Sequence, residues 1–205
     1  MRDAGMDLKH GQGDPYIIRN RKQLATLKAA ARQELLDVLS SMGAVSVAEL
    51  AAALGKTADS LYYHLRILQK AGLVVEDGTR EEAGHNERLY RAVASDLRLA
   101  YRPGPKGNAE AVTPIVDSML RLTSRDFKAA FTDATTVVEG PQRELWAART
   151  TGWLTEQQVE ELNRHLASMR QITVSSPPRD GGERLYALTM VLAPLHRYGK
   201  LPAGV

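Results

Sequence analysis

The stretch Ser46–Val74, which reads SVAELAAALGKTADSLYYHLRILQKAGLV, restricts the possible fold more than any other part of the chain. Ser46 and Glu49 have the spacing of a capping box, in which a serine and a glutamate side chain each bind a backbone amide at a helix start. Gly55 predicts the end of that helix, and Thr57 is the candidate cap of the next one. Because so few residues lie between the two helices, they must cross sharply, and the pattern predicts a helix-turn-helix.

The second helix of this motif has two different faces. At about 100° per residue, Leu61, Leu65 and Leu68 fall on one side and predict a buried face. The opposite side carries the polar residues Asp59, Tyr63, Arg66 and Lys70. Ser60 and Tyr62 lie on the flanks of this side. Hydroxyl groups and cations can bind base edges and phosphates in a DNA major groove, so this face predicts nucleic-acid contact. The alternative is an ordinary exposed helix whose tyrosines form amphipathic surface.

The segments on either side of the motif extend the prediction. From Arg21 to Met42, apolar residues recur every three or four positions, which predicts one amphipathic helix. After Gly72, the pieces LVVEDG and ERLYRAV have strand composition and are separated by the charged loop TREEAGHN, so they predict a β-hairpin. A helix, a helix-turn-helix and a hairpin in this order describe a winged helix.

The second half of the chain begins after a Pro- and Gly-rich stretch, Tyr101–Asn108, which is the best candidate for a domain boundary. Residues 109–131 have a helical pattern. A capping box at Thr155–Gln158 predicts another helix, with an apolar seam from Val159 to Met169. RELWAARTTGWL and RLYALTMVLAPL predict strands, the second of them buried.

These boundaries predict a flexible basic arm at residues 1–18, a winged helix-turn-helix domain at residues 19–100 and a small C-terminal α+β domain at residues 101–205. The predicted fold class is α+β, mainly α.

The composition excludes some classes of protein. The 205 residues include no cysteine, so there is no disulfide framework, thiolate metal site or thiol redox centre. No apolar run approaches the roughly 20 residues of a membrane helix, and the polar N-terminus does not read as a signal peptide, so we expect a cytoplasmic protein without a membrane partner. Residues 1–33 hold seven Lys/Arg against three acids, which fits phosphate contact and a solvated tail equally well.

The stretch Ser46–Val74 resembles the winged helix-turn-helix of ArsR-like bacterial transcription regulators, whose second motif helix typically reads S-x-H-L-x-x-L-x-x-A-G-L-V. This chain has Tyr62 in place of the serine, followed by His64, Leu65, Leu68 and the run Ala71–Val74. LYYHLRIL is similar to the branch with long C-terminal extensions, and the resemblance covers roughly residues 20–95.

The resemblance implies a homodimer that inserts this helix into the major groove of double-stranded DNA and contacts DNA with its wing. It implies repression as the expected outcome. The DNA-binding residues that it implies are Lys56, Thr57, Ser60, Tyr62, Tyr63 and Arg66 at the groove, with Arg80 and Arg88 on the wing.

The chain departs from the metal-sensing members of that group. Its first motif helix, VAELAAAL, has no ligand atom besides Glu49, and none of the five histidines forms an i,i+4 histidine pair, so we expect no metal and no cofactor. His64 is expected to pack against the core or touch a phosphate. No catalytic motif is present either, and we expect that the protein is not an enzyme.

The C-terminal domain is expected to dimerise, and it either binds a small organic effector or senses no signal. Trp146, Trp153 and Tyr186 could line an apolar pocket with Arg149 or Arg184 as polar partners, although large aromatics are more often core or interface. One or both of two elements, the first helix and the Val159–Met169 seam, are expected to pair across a two-fold axis. Alternatively, the seam packs on Arg184–Leu195 of the same chain.

The sequence therefore predicts a sequence-specific, dimeric regulator that binds an inverted-repeat operator. Two alternatives stay open. One is an enzyme whose C-terminal α+β domain is catalytic and whose winged helix is an accessory. The other is a winged helix that is used only for contact with proteins.

Overall fold

The computed structural model describes residues 15–82, 84–174 and 183–195. In it, the region predicted as a single first helix contains two helices. They are α1 (Arg21–Thr26) and α2 (Ala30–Met42). Gln33 Nε2 donates to the carbonyl of Leu27 at 2.6 Å, and Arg32 Nε donates to the carbonyl of Thr26. Side chains of α2 thus satisfy carbonyls that α1 leaves open at its end. The prediction of one continuous helix is wrong, because apolar periodicity does not report such bonds.

The helix-turn-helix forms as predicted. A short strand, β2 (Val45–Ser46), leads into α3 (Val47–Leu54), and α4 (Ala58–Lys70) follows. The capping box is present, since the Ser46 amide donates to Glu49 Oε2 at 2.7 Å and the Glu49 amide donates to Ser46 Oγ at 3.3 Å. Gly55 ends α3 in the left-handed conformation at φ 60°, which glycine adopts without steric cost. Thr57 occupies the N-cap position of α4, but its side chain makes no capping bond.

The wing is a longer hairpin than the sequence predicts. It consists of β3 (Val74–Glu82) and β4 (His85–Ala92), which pair antiparallel in a sheet of order β2-β4-β3. The predicted loop TREEAGHN lies mostly in these two strands, and Gly84 in the connection has φ 80°. A residue at positive φ permits a tight hairpin turn, so the connection between the strands can be short. The polar composition of TREEAGHN therefore led to the wrong prediction of a long loop.

Residues 16–18 correct the predicted N-terminal arm. Tyr16–Ile18 forms β1, which pairs parallel with β5 (Leu97–Leu99), and Ile18 is buried in the core. A tyrosine and two isoleucines suit a half-buried strand, and the prediction of a flexible arm overlooked this signal. Residues 1–14 of the predicted arm lie outside the described residues.

The helix α5 (Ala109–Thr132) belongs to the N-terminal core at its first half. Val112 and Ile115 are buried in the same cluster as the α4 leucines, and Gln33 Nε2 donates to the carbonyl of Ile115 at 3.0 Å. The stretch Tyr101–Asn108 therefore does not separate two independent cores, although it does precede a helix as predicted.

The described chain after α5 is largely exposed to solvent. The predicted capping box starts α6 (Glu156–Val174), where the Thr155 amide donates to Gln158 Oε1 at 2.9 Å. No residue of α6 is buried. Residues 143–154 and 184–195 are not strands, contrary to the prediction, because no described strand lies beside them to accept their backbone hydrogen bonds.

The fold class is α+β and mainly α, as predicted. A helix-turn-helix followed by a β-hairpin gives the N-terminal part the architecture of a winged helix.

Candidate nucleic-acid interface

The helix α4 presents a polar face to solvent. Leu61, Leu65 and Leu68 are all buried, as the helical pattern predicted, and they hold the helix on the core. Tyr62 and Tyr63 are therefore turned outward, with 47% and 65% of their surfaces exposed. The α4 face is defined here by Thr57, Ser60, Tyr62, Tyr63 and Arg66, all of which are exposed.

The groups on the α4 face are available to a ligand. Within the described ranges, Arg66 has no ion-pair partner, and the hydroxyls of Tyr62 and Tyr63 make no hydrogen bond. The Ser60 hydroxyl donates to the carbonyl of Thr57 at 2.7 Å and keeps its lone pairs as acceptors. The face thus offers tyrosine and serine hydroxyls and one guanidinium, which together can donate to and accept from base edges.

His64 lies at the border of the α4 face and the core. Its ring meets the Tyr63 ring edge-on at 5.3 Å between centroids, and its Nδ1 is buried without a hydrogen-bond partner among the described residues. Burial lowers the pKa of His64, and the charges of Arg32 and Lys56 lower it further. At neutral pH the imidazole is therefore neutral, and it packs against its neighbours, which was one of the two roles expected for it.

Lys56 connects the helix-turn-helix to other helices. Its ammonium group pairs with Glu34 of α2, and the second oxygen of Glu34 accepts from Arg125 of α5 at 2.8 Å. Burial acts to raise the pKa of Glu34, but the hydrogen bonds from Lys56 and Arg125 outweigh it and hold the pKa below its ordinary value. Lys56 is thus partly neutralised, unlike Arg66.

The two wing arginines also differ in how closely acidic side chains pair with them. Arg80 is paired with Glu49 of α3 at 2.8 Å and with Glu82 at 3.0 Å. Arg88 approaches only Glu76 among the described acids, at 3.6 Å, and 69% of its side chain is exposed. Arg80 therefore ties the wing to the start of α3, whereas Arg88 is free to turn toward a phosphate.

The wing also carries acids that sequence reasoning did not include in the site. Glu81, Glu82 and Glu87 lie near its tip, and Glu81 and Glu82 are exposed. The sequence already contains this signal, because Glu81 and Glu82 lie in the predicted loop TREEAGHN and Glu87 begins the predicted strand ERLYRAV. Carboxylates repel phosphates, so the tip of this wing, beyond Arg88, is a poor surface for close DNA contact.

The structure does not gather the residues predicted for an effector. Trp146, Arg149 and Trp153 are exposed, and the guanidinium of Arg143 lies 3.4 Å from the centre of the Trp146 ring. Tyr186 lines a cleft of about 480 Å³ together with Arg184 and Glu144, and Trp146, Arg149 and Trp153 do not border this cleft. The expected shared pocket of three aromatics is therefore not formed within the described part of one chain, because two of them point into solvent.

Comparison with known families agrees with this geometry. Residues 29–77 match a family model described as a helix-turn-helix domain, which spans α2 to the start of the wing. No curated protein matches the chain. In the described ranges, no helix is long and apolar enough to cross a membrane. The chain therefore carries a helix-turn-helix domain of the winged-helix type, the class of DNA-binding domain that places its second helix in the major groove.

Proposed function

We propose that the protein is a sequence-specific, double-stranded DNA-binding transcription regulator that acts as a homodimer and represses its target genes. One observation carries the proposal. The helix α4 is fixed to the core by buried leucines and turns Tyr62, Tyr63 and Arg66 to solvent, within the residues that match the helix-turn-helix family.

Insertion of α4 into the major groove accounts for these side chains. A helix with its side chains is about 10–12 Å in diameter, which suits a groove about 12 Å wide, and the 13 residues of α4 give it a length of about 20 Å along the groove. Arg66 can bind the O6 and N7 atoms of a guanine with two hydrogen bonds, while the tyrosine hydroxyls bind bases or phosphates. Thr57 and Ser60, at the start of the helix, reach the backbone or the first base pair.

The charged residues beside α4 have separate roles in this proposal. Arg88 contacts a phosphate, because its only described ion pair is long and exposed. Lys56 and Arg80 act mainly as positioning residues, since Lys56 holds the turn before α4 against α2 and Arg80 holds the wing against α3. Both were predicted as direct DNA contacts, and their ion pairs favour the positioning role.

A homodimer presents two copies of α4 and so binds an inverted repeat with half-sites about one helical turn apart. Resemblance to ArsR-like regulators supports both the dimer and the repression. Control by a small organic effector, a cytoplasmic location and the lack of enzymatic activity remain predictions from the sequence.

Fluorescence anisotropy with the full chain tests DNA binding. The probes are the DNA upstream of the protein's own gene and a random duplex of equal length, each at low and at physiological salt. We expect tighter binding to the upstream DNA, and we expect Tyr63→Ala to weaken that binding more than binding to the random duplex. Tyr101→Ala is the matched control, because Tyr101 is 71% exposed, against 65% for Tyr63, and lies outside the motif.

Absence of binding to any duplex at low salt would contradict the proposal and favour a winged helix used for protein contact. Equal binding of both duplexes by the wild type would show that the α4 face does not read sequence.

A further inference from the structure

Two extended segments of the C-terminal half have an unpaired backbone. Residues 145–154 and 185–195 contain no helix, turn or bend and are called here the two extended segments. They form no backbone–backbone hydrogen bond with any described residue. Both have the composition of strands. Backbone amides and carbonyls of an extended apolar chain need partners when they are covered, so these segments are templates for strand addition.

The two extended segments are held in place despite the missing pairing. Glu144 accepts hydrogen bonds from the Tyr186 hydroxyl and, at 3.2 Å, from Arg184, so the starts of the segments lie together. The Thr189 hydroxyl binds the hydroxyl of Thr123 on α5. Residues 185–195 are therefore tied to α5, while the apolar side chains of both segments stay uncovered.

The uncovered side chains are large and uncharged. Trp146 is 70% exposed, Leu185 64% and Val191 58%. The other exposed members are Trp153, Leu154, Tyr186, Leu188, Leu192 and Leu195. Residues 185–195 contain no charged side chain and residues 145–154 contain a single one, Arg149, so this surface suits an apolar partner better than a nucleic acid.

The exposed area is large enough for a stable dimer. The chain exposes 15778 Å², whereas a compact monomer of 22.5 kDa exposes about 9,500 Å². Even if each residue outside the described ranges contributed the area of fully extended chain, about 160 Å², roughly 1,000 Å² of the excess would belong to the described residues. Permanent homodimers bury about 1,000 to 2,500 Å² on each chain, so one further copy can cover this excess.

We propose that a second copy of this chain docks on the two extended segments by adding its own extended segments as strands, across a two-fold axis. Main-chain hydrogen bonds give such strand addition its affinity, and identical apolar segments satisfy one another in a symmetric interface. The inference rests on the homodimer of the proposed function but not on its DNA binding. It also explains why a strand-like sequence such as RLYALTMVLAPL is not a strand in the single chain.

Light scattering combined with hydrogen exchange of the full chain tests the inference. We expect a dimer at micromolar concentration, in which the amides of residues 145–154 and 185–195 exchange at least a hundredfold more slowly than those of unpaired chain. The double variant Leu188→Lys, Val191→Lys is expected to be monomeric and to lose this protection. Ala48→Lys, at an exposed site on α3, is the matched control and should stay dimeric.

A thermal melt of the double variant shows whether its buried core, formed by α2 to α4, is still folded. The melt is informative because that core does not include the substituted residues. A dimer whose two extended segments exchange freely would overturn the inference and leave the homodimer in place. A monomeric wild-type chain would overturn both, and the DNA titration would still report on DNA binding separately.

Discussion

The two wing arginines give the sharpest prediction, because the structure separates residues that the sequence treats alike. Arg88 has one exposed contact with Glu76 at 3.6 Å, whereas Arg80 is held by Glu49 at 2.8 Å and by Glu82 at 3.0 Å. Only a cation that is free to neutralise a phosphate releases a counterion on binding. We therefore expect Arg88→Ala, but not Arg80→Ala, to change the salt dependence of DNA binding.

The magnitude follows from counterion release. Each phosphate contact adds about 0.9 to the slope of log affinity against log salt, so losing Arg88 from both copies of a dimer makes the slope shallower by about 1.8. Between roughly 0.1 and roughly 0.2 M salt, the wild type then loses about 3.5 times more affinity than the variant. Anisotropy titrations on one duplex at four salt concentrations measure both slopes.

Arg80→Ala provides the matched comparison, since it removes the same charge from the same wing. We expect it to lower affinity at every salt concentration, because the wing loses its tie to α3, and to leave the slope near that of the wild type. Equal slope changes in the two variants, or a larger change for Arg80→Ala, would refute the assignment of Arg88 as the phosphate contact.

Three further predictions concern the fold that supports the site. Leu65→Ala should lower the free energy of unfolding by about 2–5 kcal/mol in a urea titration, because Leu65 is buried, whereas Tyr63→Ala should change it by no more than about 0.5 kcal/mol. Ser46→Ala removes one half of the capping box and should cost about 1 kcal/mol in the same assay. Because Lys56 helps to hold the folded-state pKa of Glu34 below its ordinary value, this carboxylate stabilises the fold above its unfolded pKa, and that stability is lost as pH falls through the folded pKa. Glu34→Gln should therefore weaken the acid dependence of the melting temperature below about pH 4.5, and an unchanged dependence would contradict this role.

Local chemistry made the helix-turn-helix predictable. The capping box at Ser46 and Glu49, the left-handed Gly55 and the three-leucine face of α4 depend on residues that are close in sequence, and all three are present. The exposure of Tyr62 and Tyr63 follows from the same leucines. The hydroxyl-rich face of α4 could therefore be predicted from the amino-acid sequence alone.

Interactions between distant residues could not be predicted in this way. The pairing of Lys56 with Glu34 and of Arg80 with Glu49 joins residues that are 22 and 31 positions apart, and it changes both cations from free charges into tethered ones. The first predicted helix breaks because Gln33 and Arg32 satisfy carbonyls across the turn. Strand composition at residues 184–195 indicates a tendency, but a strand also needs a neighbour, and no described part of the chain supplies one.

Selection from a library of random-sequence duplexes tests the central claim, that the exposed face of α4 reads base pairs, most directly. The wild-type chain should enrich an inverted repeat with half-sites about one helical turn apart. Arg66→Ala should enrich the same repeat with the preference at one position of each half-site lost, at a cost of about 1–3 kcal/mol for the original base pair. Arg121→Ala, the matched control on the exposed side of α5, should keep the wild-type repeat unchanged. No enriched repeat for the wild type, or an identical repeat for Arg66→Ala, would contradict the account.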